Sequence, residues 1–161
     1  MLSDTGLRLS EALGLTTDEI YLNATIPYIE IKRQLWRRLK TKSSERKIPL
    51  VGEAIWALKQ ASKATDGPMI SPKYCTPTTC KSNSASAALN KWLKSKGTVA
   101  DQIVLHSFRH SLMDRLRAVE CPTDIIDTIG GWSKPGVGEG YGAGYSTYLV
   151  PQWMATLGLK T

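Results

Sequence analysis

Metal-binding side chains are scarce in this sequence. It has two histidines, His106 and His110, too close together in sequence to complete a metal site, and three cysteines. Cys75 and Cys80 lack a second pair that would make a zinc centre. An odd cysteine count without paired spacing argues against a disulfide framework. All three read as reduced thiols of an intracellular protein, some of them packing. No apolar stretch approaches transmembrane length, and Met1-Leu2-Ser3-Asp4 does not begin a signal peptide. Internal repeats and low-complexity linkers are missing as well. These absences leave no basis for a metalloenzyme, a secreted disulfide scaffold or a membrane protein.

What is present is ordinary in bulk and unusual in charge. Hydrophobic residues make up 42% and charged residues 22% of 161 residues, as in one compact soluble domain with room for a core. The net charge is +7 and the isoelectric point is near 9.4. Such a balance suits a polyanionic partner, most simply nucleic acid, and equally suits a solvated basic surface.

Residues 7–15 place Leu7, Leu9, Ala12, Leu13 and Leu15 away from Arg8 and Glu11, which predicts a short helix ended by Gly14. After Pro27, residues 24–32 alternate Ile29 and Ile31 with Tyr28, Glu30 and Lys32, a strand pattern. Residues 34–41 are also strand-like. A polar turn at 42–45 leads to a third strand at 46–50, with Pro49 placing it at an edge or a strand end. Residues 53–63 predict a helix with Ile55, Trp56 and Leu58 on the buried side, and 65–82 a long loop rich in Pro, Thr, Ser and Lys. Further helices are expected at 84–95, 107–119 and 122–129, the last with Pro122 in its first turn and Gly130-Gly131 after it. Residues 134–144 are glycine-rich, and the aromatic tail at 146–159 is interrupted by Pro151. The fold class is α+β: a mostly helical domain with a small antiparallel three-stranded sheet. The chain starts almost directly on the dense motif at 5–11, which predicts an N-terminally truncated fragment.

Several groups could carry chemistry. His106 and Arg109, three apart at a helix start where the backbone dipole favours anions, can grip a phosphate. They also fit a capping histidine and a surface arginine. Arg8 and Glu11 fit a local ion pair. Lys40-Thr41-Lys42 sits at a hairpin tip, either solvated or reaching into a groove. Trp132 fits a core tryptophan, although its indole has one N–H donor. Tyr141 lies between glycines, a poor place for a core tyrosine, so it is exposed or functional.

The order of these blocks is more specific than any one of them. Thr5-Gly6-Leu7-Arg8-Leu9-Ser10-Glu11, then the run from Lys40 to Leu50, then His106-Ser107-Phe108-Arg109-His110, then Gly130-Gly131-Trp132-Ser133, then Tyr141 resembles the catalytic domain of tyrosine recombinases, the phage-integrase family. The likeness spans nearly the whole chain. It implies DNA cleavage by tyrosine attack on a phosphodiester, giving a 3′-phosphotyrosyl bond that stores the energy for rejoining, with no cofactor. It assigns Arg8 and Arg109 to the non-bridging oxygens and His106 to a hydrogen bond or the tyrosine proton. Lys40 protonates the leaving oxygen, Trp132 packs and donates one hydrogen bond, and Tyr141 is the nucleophile. Lys42 and Tyr145 are the alternatives for the lysine and the tyrosine, and Glu11 supports Arg8. Most relatives carry histidine at the Trp132 position, and indole cannot shuttle a proton. His110 reads as structural.

The resemblance implies double-stranded DNA as partner, a tetrameric synapse on DNA joined through the tail (Tyr148, Leu149, Trp153, Met154, Leu157), no membrane, and a cytoplasmic setting in a bacterial host. A tail helix folded back on its own domain is the other possibility. The missing N-terminal part would hold the family's core-binding domain and the first helix of the catalytic domain. A catalytically inactive DNA-binding accessory protein of the same fold is the competing function.

Overall fold

The structure, a computed structural model, describes residues 1–39, 41, 44–97, 100, 102–132 and 149–158. Its elements in chain order are α1 (Leu2–Thr5), α2 (Leu9–Leu13), a 3₁₀ turn (Thr17–Glu19), β1 (Ile20–Tyr21), β2 (Tyr28–Ile31), β3 (Arg46–Pro49), α3 (Glu53–Lys63), α4 (Ser82–Ser95), α5 (Leu105–Ala118), α6 (Thr123–Gly130) and α7 (Leu149–Gly158).

The alternation in β2 sets the sheet. The order is β1-β2-β3, antiparallel throughout, with Ile29 opposite both Ile20 and Ile48. Ile29, Ile31 and Ile48 are fully buried and pack with Leu7, Leu15, Leu50, Ala54 and Leu58, joining the sheet to α3 and the N-terminal helices. Each such side chain contributes about 1.5–3 kcal/mol by leaving water. A second core holds Leu112, Met113 and Leu116 of α5, Ile125, Ile126 and Ile129 of α6, and Val150, Met154 and Leu157 of α7. The tail helix therefore covers its own α5. Pro151 does not break it, because the first turn of a helix needs no N–H from that residue.

The sheet has three strands as expected, but not the same three: the strand expected second, at 34–41, is replaced. None of the described residues of 34–41 is in a strand; the short β1 takes that role. Gln34 and Arg37 exchange backbone hydrogen bonds, each 3.2 Å, closing a tight turn. Arg37 then swings into the core. It pairs with Glu19 and donates to the carbonyls of Gly14 at 2.9 Å and Lys32 at 2.7 Å. Trp36 Nε1 donates to the same Gly14 carbonyl at 2.9 Å. A buried charge must find such partners, and that need overrides the local strand tendency.

Three smaller expectations also change. The helix of 7–15 shrinks to α2, and Arg8 is its N-cap with extended backbone (φ −66°, ψ 148°). In α3, Ala54 and Leu58, four apart, form the buried stripe, while Trp56 lies two positions away and is 61% exposed. Cys75 and Cys80 face each other across an antiparallel bridge with Cα atoms 4.1 Å apart and are joined as a disulfide, so only Cys121 is a free thiol. The five-residue spacing fits a tight loop whose ends pair, which a count of cysteines cannot reveal. Burial, together with the nearby Asp124 carboxylate, raises the Cys121 thiol to about 11.

Candidate active site

The site is assembled from chain segments far apart in sequence. Gly6 follows α1 with φ +60°, and a Cβ there would lie 2.8 Å from Leu112 Cδ2. This tight left-handed turn presses the start of the chain onto α5 and aims the Gly6 carbonyl at Arg109. Arg8 follows, capping α2 in a reciprocal box. Its backbone N–H donates to Glu11 Oε2 at 3.0 Å, and its Nη1 donates to Glu11 Oε1 at 2.7 Å. The local Arg8–Glu11 pair is therefore real. It is also shared, because Arg46 Nη2 donates to Glu11 Oε2 at 3.0 Å.

Arg46 opens β3. Its side chain is 4% exposed. Besides Glu11 it donates from Nε to the Ile129 carbonyl at 2.9 Å and from Nη1 to the Ser44 carbonyl at 2.7 Å. Sequence reasoning missed this residue, which it placed only in a strand. A signal existed: Arg46 is two positions from Ile48, so a strand that buries Ile48 carries Arg46 on the same face.

Arg109 opens the second turn of α5, whose start is capped by Ser107 Oγ accepting from the Val104 N–H at 3.2 Å. Asn90 Oδ1 of α4 accepts from the Leu105 N–H at 2.8 Å. The helix places His106 and Arg109 as the spacing predicts, but they do not project together. His106 is exposed and Arg109 is 2% exposed. The Arg109 guanidinium donates to the carbonyls of Gly6 and Gly130. It also lies 4.7 Å from the centre of the Trp132 ring, a cation–π distance. Gly131 closes α6 in the left-handed region with φ +61°, and a Cβ there would stand 2.7 Å from Arg46 Nη1. The two glycines thus bring the end of α6 against Arg46 and lay Trp132 over Arg109. Trp132 is partly buried against the second core, so its packing role is met.

Electrostatics follow from this crowding. Burial would raise the Glu11 carboxyl, but the charge and hydrogen bonds of Arg46, with those of Arg8, hold it below the usual carboxylate range. Burial and the charges of Arg8 and Arg46 pull Arg109 down to about 10. His106 is lowered by partial desolvation, then by His110, Arg109 and Arg8. The His110 ring meets it edge-on at 4.9 Å. Three guanidiniums around one carboxylate leave excess positive charge beside an exposed imidazole. Planar forks of this kind suit a phosphate. Among the described residues no group of three His, Cys, Asp or Glu side chains could hold a metal. No helix among them is long and apolar enough to cross a membrane.

The model of the phage integrase family matches residues 1–143. The chain belongs to the phage integrase family. Solved structures agree on the fold of this family member. The Tn1549 transposon integrase in complex with circular intermediate DNA is 23% identical, with a TM-score of 0.59 over 97% of this chain and 57% of that one. A variant of the same integrase with a circular intermediate DNA gives 21% identity, a TM-score of 0.61, and 97% and 56% coverage. A second variant, with transposon right end DNA, gives 23%, 0.56, and 83% and 49%. The chain spans about half the length of these integrase structures. Curated protein sequences give no significant match.

Of the site residues expected from sequence, the structure brings Arg8, Glu11, Arg109, His106 and Trp132 into one region. Lys40, Lys42, Tyr141 and Tyr145 lie outside the described residues. Arg46 and the backbone carbonyls of Ser44, Ile129 and Gly130 are additions.

Proposed function

We propose that the chain is the catalytic domain of a tyrosine recombinase, a site-specific DNA integrase that cuts and rejoins duplex DNA through a 3′-phosphotyrosyl intermediate. The observation that carries this reading is a cluster of three guanidiniums, of which Arg8 and Arg46 share the buried carboxylate of Glu11 and Arg109 is held by the Gly6 and Gly130 carbonyls, beside His106. A pentacovalent phosphate develops charge on its non-bridging oxygens, and fixed donors aimed there lower the barrier. Arg8 and Arg109 supply that charge. His106, held below its ordinary pKa, is largely neutral near pH 7, so it can accept the tyrosine proton or donate one hydrogen bond. Lys40 protonates the departing 5′-oxygen, and Tyr141 attacks. The ester conserves the bond energy, and a second strand's 5′-hydroxyl reverses the step. Trp132, stacked on Arg109, packs and can donate but takes no part in proton transfer. The working form on DNA is a tetrameric synapse in which α7 leaves its own α5 for a neighbour, and the reaction takes place in the bacterial cytoplasm.

The test uses nicked duplexes bearing candidate core sites. The expected result is a protein–DNA adduct that survives SDS, is insensitive to EDTA and is lost in Tyr141→Phe. Adduct retained in Tyr141→Phe but lost in Tyr145→Phe moves the nucleophile. Binding without adduct supports the accessory reading, and EDTA-sensitive cleavage supports a nuclease.

A further inference from the structure

Glu11 is the one carboxylate among the three guanidiniums, and a carboxylate can engage both prongs of a single arginine. If it did so with Arg8, it would neutralise that residue and occupy the donors a phosphate needs. The geometry shows why it does not. Arg46 Nη2 and the Arg8 backbone N–H both occupy Glu11 Oε2, at 3.0 Å each. The Arg8 side chain is left with Oε1, which it meets through Nη1 alone at 2.7 Å and which Arg46 Nη1 also reaches at 3.4 Å, so Arg46 rather than Arg8 spans both oxygens. Among the described residues, the other Arg8 side-chain contact is also through Nη1, to Ser44 Oγ at 3.4 Å. The Arg8 side chain is 25% exposed, whereas that of Arg46 is 4% exposed. Arg46 is the inner partner and Arg8 the outer one.

Arg46 is itself fixed from a second direction. Its Nε bonds the Ile129 carbonyl, and the next carbonyl in the chain, Gly130, accepts from Arg109. These are terminal carbonyls of α6, which lack helical donors and carry the negative end of its dipole. Two consecutive carbonyls thus hold two guanidiniums at a set spacing. One of them, Arg46, passes that spacing through Glu11 to Arg8.

We infer that Arg46 is a positioning residue: it holds Glu11 so that one prong of Arg8 stays available to the phosphate, and it sets Arg8 relative to Arg109 through the Ile129 and Gly130 carbonyls. The inference deepens the recombinase reading and rests on it for the identity of the phosphate. Arg46 touches neither substrate nor reacting atoms. Its contribution is orientation, and a misplacement of about 1 Å in such a frame costs roughly 100-fold in rate.

The experiment compares wild type, Arg46→Lys, Arg46→Met and the double variant Arg46→Met/Glu11→Gln, each first shown to be folded by a urea melt. Inorganic phosphate is titrated while the arginine Nε–H signals are followed by NMR. In wild type the Arg8 signal responds. In Arg46→Met its apparent phosphate affinity falls by roughly tenfold or more, because Glu11 then takes both prongs. Adding Glu11→Gln restores it, since a neutral amide with one acceptor oxygen cannot claim the fork. Arg46→Lys falls between, because a point cation cannot reach Glu11, Ile129 and Ser44 together. It also serves if Arg46→Met fails to fold. The same set is run for single-turnover adduct formation on a nicked duplex. An Arg8 response unchanged in the folded single variants, or a double variant no better than Arg46→Met, overturns the inference. Wild type that binds phosphate at Arg8 with the expected variant pattern but forms no adduct overturns the recombinase reading and leaves the Arg46 relay standing.

Discussion

The Arg37–Glu19 pair gives a sharp test of how this fold is held. Both side chains are buried, at 0% and 1% exposure. Replacing Glu19 by Gln keeps its volume and leaves Arg37 with carbonyl partners but no countercharge. Removing one member of a buried pair costs about 3–5 kcal/mol. That is a large share of the roughly 5–15 kcal/mol that holds a typical domain together. For a chain of this size, each kcal/mol lowers Tm by about 2–4 °C, so a fall of roughly 6–20 °C is expected. Urea unfolding followed by tryptophan fluorescence should show a lower midpoint at constant slope, since Trp36 sits on the same Gly14 carbonyl as Arg37. Arg37→Met should be similarly harmful because it strands Glu19. The double variant Arg37→Met/Glu19→Leu should cost less than either single change, as apolar replacements of whole buried pairs are often neutral. A Glu19→Gln loss below about 1 kcal/mol, or a double variant that costs the sum of the singles, would refute the reasoning.

Four other outcomes follow from the site. Gly131→Ala forces a Cβ into the left-handed region and to within 2.7 Å of Arg46 Nη1; a stability loss of at least about 1–2 kcal/mol is expected in a urea melt. His106 has a folded pKa below its ordinary 6.5, so the unfolded chain binds its proton first as pH falls. Stability present above 6.5 should therefore drop through that value, and His106→Asn should flatten the change between pH 7.5 and 5.5 in urea melts. Glu11, lowered from 4.5, acts in a separate window: its contribution is present above 4.5 and is lost on further acidification, and Glu11→Gln removes that loss. Trp132→Phe keeps a ring over Arg109 but removes the N–H. A fall in adduct formation on nicked duplex of roughly tenfold or more at unchanged Tm identifies a donor role, and an unchanged rate assigns Trp132 to packing alone.

The parts of the fold written locally were legible in the sequence. Ile29 and Ile31 announced β2, and α3 was legible over its full length, Glu53–Lys63. The failures were non-local. Residues 34–41 read as strand-like, and nothing near them says that Arg37 will pair with Glu19, eighteen positions away. Trp56 looked like core because of its size, yet its register against Ala54 and Leu58 turns it outward. In the site, Arg8, His106 and Arg109 were recognisable from the order of their motifs. The burial of Arg109 was not, because it depends on carbonyls at Gly6 and Gly130 that any residue could supply. Arg46 was hidden for the opposite reason. A basic residue at a strand start is commonplace, and only its register with Ile48 marked it.

The two consecutive carbonyls at the end of α6 have a consequence for how this protein can be divided. Arg8, Glu11 and Arg46 stand before Pro49, whereas Arg109 and the carbonyls of Ile129 and Gly130 stand after Leu105. The hydrogen bond from Arg46 to Ile129 spans 83 positions, and that from Arg109 to Gly6 spans 103. Cleavage of the backbone between α3 and α4, outside the loop closed by the Cys75–Cys80 disulfide, leaves one piece with the countercharge and the other with the anchors. Neither piece can hold its arginines at a working separation. The arginine cluster is thus a property of closure between the two halves of the chain, and it exists only while they are docked.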